Sequence, residues 1–233
     1  MSACLLASFR EALRFYLSYT PRELCGARVS FSQFGEDLFL ANLFSGQSHG
    51  FYVDIGAFHP FRFSNTYGLY RNGWRGINVE PNPDGLRKLV RYRPRDLNLG
   101  YAVSTSPGDG WLTVDDTFSA LVVPGTATPA RAAAAPRVPV RIVTLAGLLD
   151  EYLPQCGSPE VDLLTVDCEG HDQMVLQSND WARFAPRVIL VEDHAKPGSP
   201  EIDGLLSAQR YRVCCRLGLT RVFLRADAAH LAF

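Results

Sequence analysis

Two kinds of hydrophobic pattern alternate along this chain. Short apolar runs rich in β-branched and aromatic residues, bounded by Gly, Pro, Asn or Asp, predict strands over about 50–55, 75–80, 97–103, 161–167, 187–192, 210–216 and 220–225. Between them, apolar residues fall at helical spacing over 8–19 (Phe9, Leu13, Tyr16, Leu17), 35–44 (Leu38, Leu40, Ala41, Phe44), 64–72, 83–92 and 173–177. Pro21 ends the first of these helices, Glu36 and Asp37 suit the start of the second, and Asn82-Pro83-Asp84 is a helix start. Strand–helix alternation of this kind predicts an α/β fold: a doubly wound, mostly parallel, seven-stranded Rossmann-like sheet whose last two strands form an antiparallel hairpin. One domain over 1–233 is expected, with residues 1–45 as an N-terminal helical cap over the ligand crevice. The stretch 119–139 is dominated by Ala, Pro and Thr and lies between two β segments, 110–115 and 138–144. It reads as a flexible loop, either a lid or an excursion with no role.

Composition narrows the partners. A chain of 233 residues with 47% hydrophobic and 20% charged residues suits one soluble core, and a net charge of −1 makes no electrostatic case for nucleic acid or an anionic membrane. A neutral or weakly charged small molecule is the expected substrate, and a homodimer is compatible with the sequence. The basic run Arg87, Lys88, Arg91, Arg93 and Arg95 reads as a solvated helix face. Six cysteines without a C-x-x-C pair argue against zinc and for reduced thiols, with Cys168 structural. No apolar run approaches the ~20 residues of a membrane span, and the start of the chain lacks the basic region of a secretory signal, so the expectation is cytoplasmic.

The chemistry begins at Phe51-Tyr-Val-Asp-Ile-Gly-Ala-Phe-His-Pro60, a buried strand ending in an acid and a glycine turn. A second strand, Gly76-Ile-Asn-Val-Glu80, also ends in an acid. Ligands of open α/β sheets bind outside the strand carboxyl ends, and an acid ending the second strand can accept from both ribose hydroxyls. The G-x-G-x-x-G fingerprint is absent, so few bare amides are offered to a pyrophosphate. Asp54, Gly56 and Glu80 therefore point to an adenosine cofactor without phosphate: S-adenosylmethionine.

Six blocks in order, Ser32-Gln-Phe-Gly-Glu-Asp37, Val53-Asp-Ile-Gly-Ala57, Ser64-Asn-Thr-Tyr67, Gly73-Trp-Arg-Gly76, Val79-Glu-Pro-Asn82 and Val166-Asp-Cys-Glu-Gly-His171, resemble the FkbM family of S-adenosylmethionine-dependent methyltransferases. The resemblance spans about residues 30–195 and implies small-molecule acceptors, including sugars and polyketides. It implies that Asn65 or Thr66 lies by the cofactor carboxylate, although both residues are also strong helix caps. Gln33 is the candidate for the amino-acid end of the cofactor, or else a fastener of the N-terminal helix. Ala102, at the end of strand three, marks the adenine position. His59, after the cofactor turn, reads as packing or as lining the methionine part.

Strand four ends Asp167-Cys-Glu169-Gly-His171 and strand five ends Glu192-Asp193-His194. By analogy with metal-dependent small-molecule O-methyltransferases, Asp167, Glu192 and Asp193 are the expected Mg²⁺ ligands, because hard oxygen donors suit that ion and it acidifies a bound hydroxyl. Glu169, His171 and His194 are the catalytic candidates, with either histidine as base. Aromatic residues Phe58, Phe61, Phe63, Tyr67, Trp74 and Trp111 offer faces on which a sugar could stack, although most must be core. The leading expectation is O-methylation of a sugar hydroxyl. Its rivals are a metal-independent methyltransferase of another metabolite, an amide or amine acceptor included, and a binding module that has lost catalysis. The intact Asp54, Gly56 and Glu80 speak against that module.

Overall fold

Five-residue apolar runs whose side chains alternate between two buried faces form the centre of the molecule. The computed structural model describes residues 28–113, 119–122, 136–157 and 160–231, so the helix expected at 8–19 lies outside the described residues. Phe31–Phe233 cluster as one compact unit and Met1–Ser30 as another. Within the former, the strands are β1 (Phe51–Ile55), β2 (Arg75–Val79), β3 (Leu97–Leu99), β4 (Tyr101–Val103), β5 (Gly108–Thr113), β6 (Ala120–Val122), β7 (Arg137–Val143), β8 (Leu163–Val166), β9 (Val188–Glu192), β10 (Tyr211–Leu217) and β11 (Thr220–Arg225). The helices are α1 (Glu36–Leu43), α2 (Tyr67–Arg71), α3 (Pro83–Tyr92), α4 (Leu145–Tyr152), α5 (Asp172–Gln177) and α6 (Pro200–Ala208). No helix among the described residues is long and apolar enough to cross a membrane.

Seven strands form the main sheet in the order β10-β11-β9-β8-β1-β2-β3, parallel except at β11, which runs antiparallel to both its neighbours. The chain winds outward from β1 to β3 and restarts on the other side at β8, so the switch point where such sheets bind ligands lies between β1 and β8. Phe51, Val53, Ile55, Leu164, Val166, Ile189 and Val191 pack on one face with residues of α4, α5 and α6. Tyr52, Leu163, Val188 and Leu190 pack on the other with Leu40, Leu43 and Phe44 of the α1 region and Leu69 and Tyr70 of α2. Burial on both faces is why the central strands read as unbroken apolar runs.

Three expectations change. Strand three is two strands: Leu97–Leu99 stays in the main sheet, and beyond Gly100 the chain departs as β4, which pairs with β7 in a second sheet of order β4-β7-β5-β6. The segment 119–139 is bounded by strands, since Ala120–Val122 pairs with β5 and β7 starts at Arg137; residues 123–135 lie outside those described. Helix α1, expected over the crevice, packs on a sheet face instead.

Arg93, expected on a solvated helix face, is fully buried. Its Nε donates to Asp96 Oδ2 (2.8 Å), and its terminal nitrogens reach Tyr52 Oη (2.6 Å), Thr66 Oγ1 (3.0 Å) and Asn78 Oδ1 (3.4 Å). Asp96 also accepts from Tyr52 Oη (2.6 Å), the amide of Gly76 (3.0 Å) and Asn78 Nδ2 (3.0 Å). Nearly every valence of the ion pair is thus met, which is what makes a buried pair tolerable. Removing one partner strands the other: Arg93→Met is expected to cost about 3–5 kcal/mol, read as a lowered denaturant midpoint, whereas Arg91→Met on the exposed face should leave the midpoint nearly unchanged.

Candidate active site

Parallel strands β1, β2, β8 and β9 all end at one edge, and the register pairs Ile55 with both Val79 and Val166, and Val166 with Val191. Gly56, Glu80 and Asp167 therefore stand just beyond the last parallel pairs, side by side with Glu192, the last residue of β9 and the partner of Thr220 in β11. They line a cavity of about 290 Å³ together with Gln33, Phe58, Phe63, Ala102, Glu169, His171 and His194. The adjoining wall is apolar and includes Tyr101, Val103, Leu112 and Leu121, much of it supplied by the second sheet.

Glu80 is held rigidly. Its Oε2 accepts from the Phe58 amide (2.6 Å) and its Oε1 from the Asn82 amide (2.7 Å), and burial lifts its pKa from 4.5 to about 7 against those bonds. Each oxygen keeps a lone pair for a further donor, which fits a ribose beside an apolar slot. Gly85 of α3 permits this packing, since a Cβ there would meet Phe58 O at 2.7 Å and Glu80 Cγ at 2.9 Å. Gly56 has φ +84, and a Cβ there would lie 1.8 Å from Asp167 O. The glycine is required where the β1 turn passes the β8 exit, with its amide bonded to Val79 O (2.9 Å).

Three predicted cofactor residues sit elsewhere. Asp54 precedes the strand end, so the pleat turns it onto the α2 face, in a row with Asn78 and Thr165. There Asp54 accepts from Thr66 Oγ1 (2.7 Å), and Asn65 Nδ2 donates to Thr165 Oγ1 (3.2 Å). Asp54, Asn65 and Thr66 fasten the start of α2 to the sheet and do not line the cavity. His59 Nδ1 accepts from the amides of Phe61 (3.2 Å) and Arg62 (3.1 Å), closing the following turn. Gln33 reaches the wall because buried Glu36 and Asp37 hold its loop: Asp37 accepts from the Phe31 amide (2.8 Å), and Glu36 from the Phe34 amide (2.7 Å) and Thr220 Oγ1 (2.9 Å).

The expected metal set is not assembled. Asp193 turns away from the cavity and accepts from the amides of Ser199 (2.8 Å) and Ala195 (3.0 Å) and from Arg221 (3.0 Å). Burial alone would raise its pKa, but these donors outweigh it and hold the carboxyl below its usual value. The pleat explains the turn, since Glu192 and Asp193 are consecutive and leave the strand on opposite sides. Asp167 and Glu192 remain together, and no group of three His, Cys, Asp or Glu able to hold a metal is present among the described residues. Burial, then the negative charges of Glu192 and Asp172, push the Asp167 pKa well up, and its protonated form hydrogen-bonds Glu192.

Sequence reading missed Asp172 and Ser104. Asp172 accepts from the amides of Cys168 (2.8 Å) and Gly170 (3.0 Å), clamping a loop in which Glu169 takes φ 53. Phe58 and Phe63, also on the cavity wall, share this uncommon positive φ, at 50 and 58. Local strain of this kind gathers at functional sites. Ser104 follows β4, and its Oγ lies 2.9 Å from His171 Nε2. Burial lowers the His171 pKa, so the ring is neutral at pH 7. His194 is more exposed, with Nε2 3.2 Å from Glu192 Oε2. Burial brings Glu169 to about 7. A spacing rule could have flagged Asp172 as a helix-start acid, but no sequence signal links Ser104 to His171.

The family model of the methyltransferase FkbM domain matches residues 54–213. Among solved structures, the chain is similar to a TehB-like SAM-dependent methyltransferase from Corynebacterium glutamicum, at 11% identity over 94% of this chain and 98% of that one, TM-score 0.43. It is also similar to precorrin-6y C5,15-methyltransferase from Geobacter metallireducens, at 13% identity over 81% and 86%, TM-score 0.41. A third similarity is to Aeropyrum pernix fibrillarin with natively bound S-adenosyl-L-methionine, at 13% identity over 85% and 84%, TM-score 0.42. Comparison with the curated proteins finds no match.

Burial raises Asp54 from 3.8 to about 6, against the bond from Thr66 and the charge of Arg93. The folded protein then holds a proton that the unfolded chain has released. That contribution to stability is complete below about pH 4 and is lost as pH rises through about 6. Asp54→Asn removes the titration, so its stability relative to the wild type should rise by on the order of 2–3 kcal/mol between pH 4 and 7, measured by denaturation across that range.

Proposed function

The chain belongs to the FkbM methyltransferase family, and on that premise we propose that this S-adenosylmethionine-dependent methyltransferase acts on a hydroxyl of a small molecule, with a sugar or oligosaccharide as the acceptor class. The observation that carries this reading is one cavity lined by Glu80 together with Glu169, His171 and Glu192. Glu80 would hold the ribose, the wall from Tyr101 to Val103 with Leu112 and Leu121 the adenine, and Gln33 the amino-acid end.

Bound S-adenosylmethionine would supply an electrophilic methyl group to the acceptor oxygen, with its sulfonium sulfur as the leaving group. The protein's task is to align the acceptor oxygen and to remove its proton. His171 is the base. With Nε2–H donating to Ser104 Oγ, the Nδ1 lone pair takes the hydroxyl proton, and the depressed pKa keeps the ring ready to do so. Magnesium has no part in this reading, because Asp193 is committed to Arg221 and its own loop. Phe58 and Phe63, near-parallel at 6.5 Å, give the cavity an aromatic lining that suits a sugar face, with the Arg62 guanidinium lying over both rings at 5.3 and 5.4 Å.

Turnover with labelled cofactor on a panel of monosaccharides and oligosaccharides, with and without a chelator, tests the reading. Methyl transfer to a sugar hydroxyl at a rate that chelation leaves intact is expected, whereas transfer only to non-sugar acceptors would defeat it. Glu80→Ala should weaken S-adenosylhomocysteine binding about tenfold to a hundredfold in calorimetry, through loss of a charged acceptor. Ser104→Ala should lower kcat about tenfold and shift the acid limb of the pH profile while cofactor affinity holds, as befits a positioning residue.

A further inference from the structure

Resting on the reading of the cavity as a sugar-acceptor site, we propose that the acceptor is one unit of an acidic glycan chain, and that the surface of α2 and α3 beside the cavity holds the neighbouring charged units. The substrate class is then an oligosaccharide or polysaccharide bearing carboxylate or phosphate groups, not a neutral sugar.

The first ground is an uneven distribution of charge. The net charge of −1 averages over the whole chain, but residues 57–95 hold eight of its 23 lysines and arginines and two of its 24 acids. Arg93 is buried against Asp96, Glu80 is buried, and Arg87 pairs with Asp84. Arg62, Arg71, Arg75, Lys88, Arg91 and Arg95 are left exposed. No carboxylate among the described residues forms an ion pair with any of the six. Cations gathered without acids repel one another and attract an anion.

The second ground is how four of them are held. Arg62 lies over the rings of Phe58 and Phe63 (5.3 and 5.4 Å), Arg71 over Phe31 (5.6 Å), Arg91 over Tyr92 (5.4 Å) and Arg95 over Tyr70 (4.2 Å). Stacking fixes each planar fork, so less freedom is lost when it takes an oxyanion. The rings form one seam that starts in the cavity. From Phe58 on the wall it passes through His59 to Phe61, then to Tyr92 of α3 and Tyr67 of α2, with centroids 5.0–6.2 Å apart at each step. Tyr67 in turn meets Phe31 (4.7 Å) and Tyr70 (6.3 Å).

Continuity with the cavity selects the partner. Arg62 sits on two wall residues, so an anion bound there lies next to the acceptor site. Glu80, Asp167, Glu169 and Glu192 line the interior and turn charge away from it, so the charged groups of a ligand rest outside while a hydroxyl enters. Helix α3 has ten residues, about 15 Å, which is longer than one sugar and suits a chain. Nucleic acid fits less well, because the rings on which bases would stack already carry guanidiniums. A bilayer surface would use the cations and leave the cavity without a role.

The test titrates the full chain, saturated with S-adenosylhomocysteine, with hexagalacturonate, phosphorylated maltohexaose and maltohexaose at pH 7. The same three compounds serve as acceptors with labelled S-adenosylmethionine. An acidic chain should bind at least about tenfold more tightly than maltohexaose, and raising salt from about 0.05 to about 0.5 M should remove most of that difference. Which of the two acidic chains binds identifies carboxylate or phosphate as the charge. Arg62→Ser combined with Arg91→Ser should weaken that binding about tenfold with S-adenosylhomocysteine affinity unchanged, whereas Arg212→Ser, on β10 at the opposite edge of the sheet, should leave it within about twofold. Equal binding of the three, binding of neither acidic chain, or a preference that survives high salt or the double variant would each overturn the proposal. Loss of S-adenosylhomocysteine affinity in the double variant would assign the cations to the cofactor and also overturn it. So would tighter binding of phosphatidylglycerol vesicles or of oligothymidylate than of either acidic glycan. Salt-sensitive binding of an acidic chain without methylation of any sugar would leave the surface standing and sink the sugar-hydroxyl reading. Methylation of maltohexaose as fast as of the acidic chains would do the reverse.

Discussion

The site depends on a layer of buried charge beneath it. Arg93 and Asp96, both sealed from water, tie together β1 through Tyr52, β2 through Gly76 and Asn78, and the start of α2 through Thr66. The Arg93 guanidinium also lies 4.8 Å from the Tyr70 ring of α2. Hydrophobic packing alone would permit small slides of helix over sheet. A network in which buried donors and acceptors answer one another does not, because any slide leaves a polar group buried and unmet. The turn after β1 and the seat of Glu80 rest on that frame, at the strand ends directly beyond it.

The edge above the frame is electrostatically strained in a useful sense. Parallel strands deliver their terminal residues to one place, and here these are acids. Burial and mutual repulsion push the Asp167 pKa well up and bring Glu80 and Glu169 to about 7. Such groups give and take protons near neutral pH, which suits a site that must bind a cationic sulfonium cofactor and release a neutral product. The positive φ of Phe58, Phe63 and Glu169 belongs to the same wall, where Glu80 and Asp172 grip the backbone amides that hold two of those conformations.

Two acids at strand ends, Asp54 and Asp193, stand outside the crevice for one cause. Position at a strand end suggests the crevice for both, but the pleat sends neighbouring side chains to opposite sides. Position 80 lies beyond the last pair of β2 and opens to the edge, whereas position 54 lies within β1 and faces α2. One residue of register separates a cavity-facing acid from a structural one, and the apolar pattern of a strand buried on both faces does not reveal which is which. Arg93 went astray for a related reason: its burial follows from partners in β1, β2 and α2 that no local window contains.

By itself, the sequence determined the strands of the main sheet with its terminal hairpin, the helices α1, α2, α3 and α5, the family blocks, and the place of Gly56 and Glu80 at successive strand ends, whereas α4 and α6 go unmarked in it. These follow from short-range rules: period-two burial, helix-start residues, and a glycine where the backbone must take positive φ. Tertiary structure alone decided that Gly100 splits strand three between two sheets, that Ser104 meets His171, and that Asp193 belongs to Arg221. Each of those is a meeting of residues distant in the chain, set by which strands lie side by side and by which face each side chain turns toward.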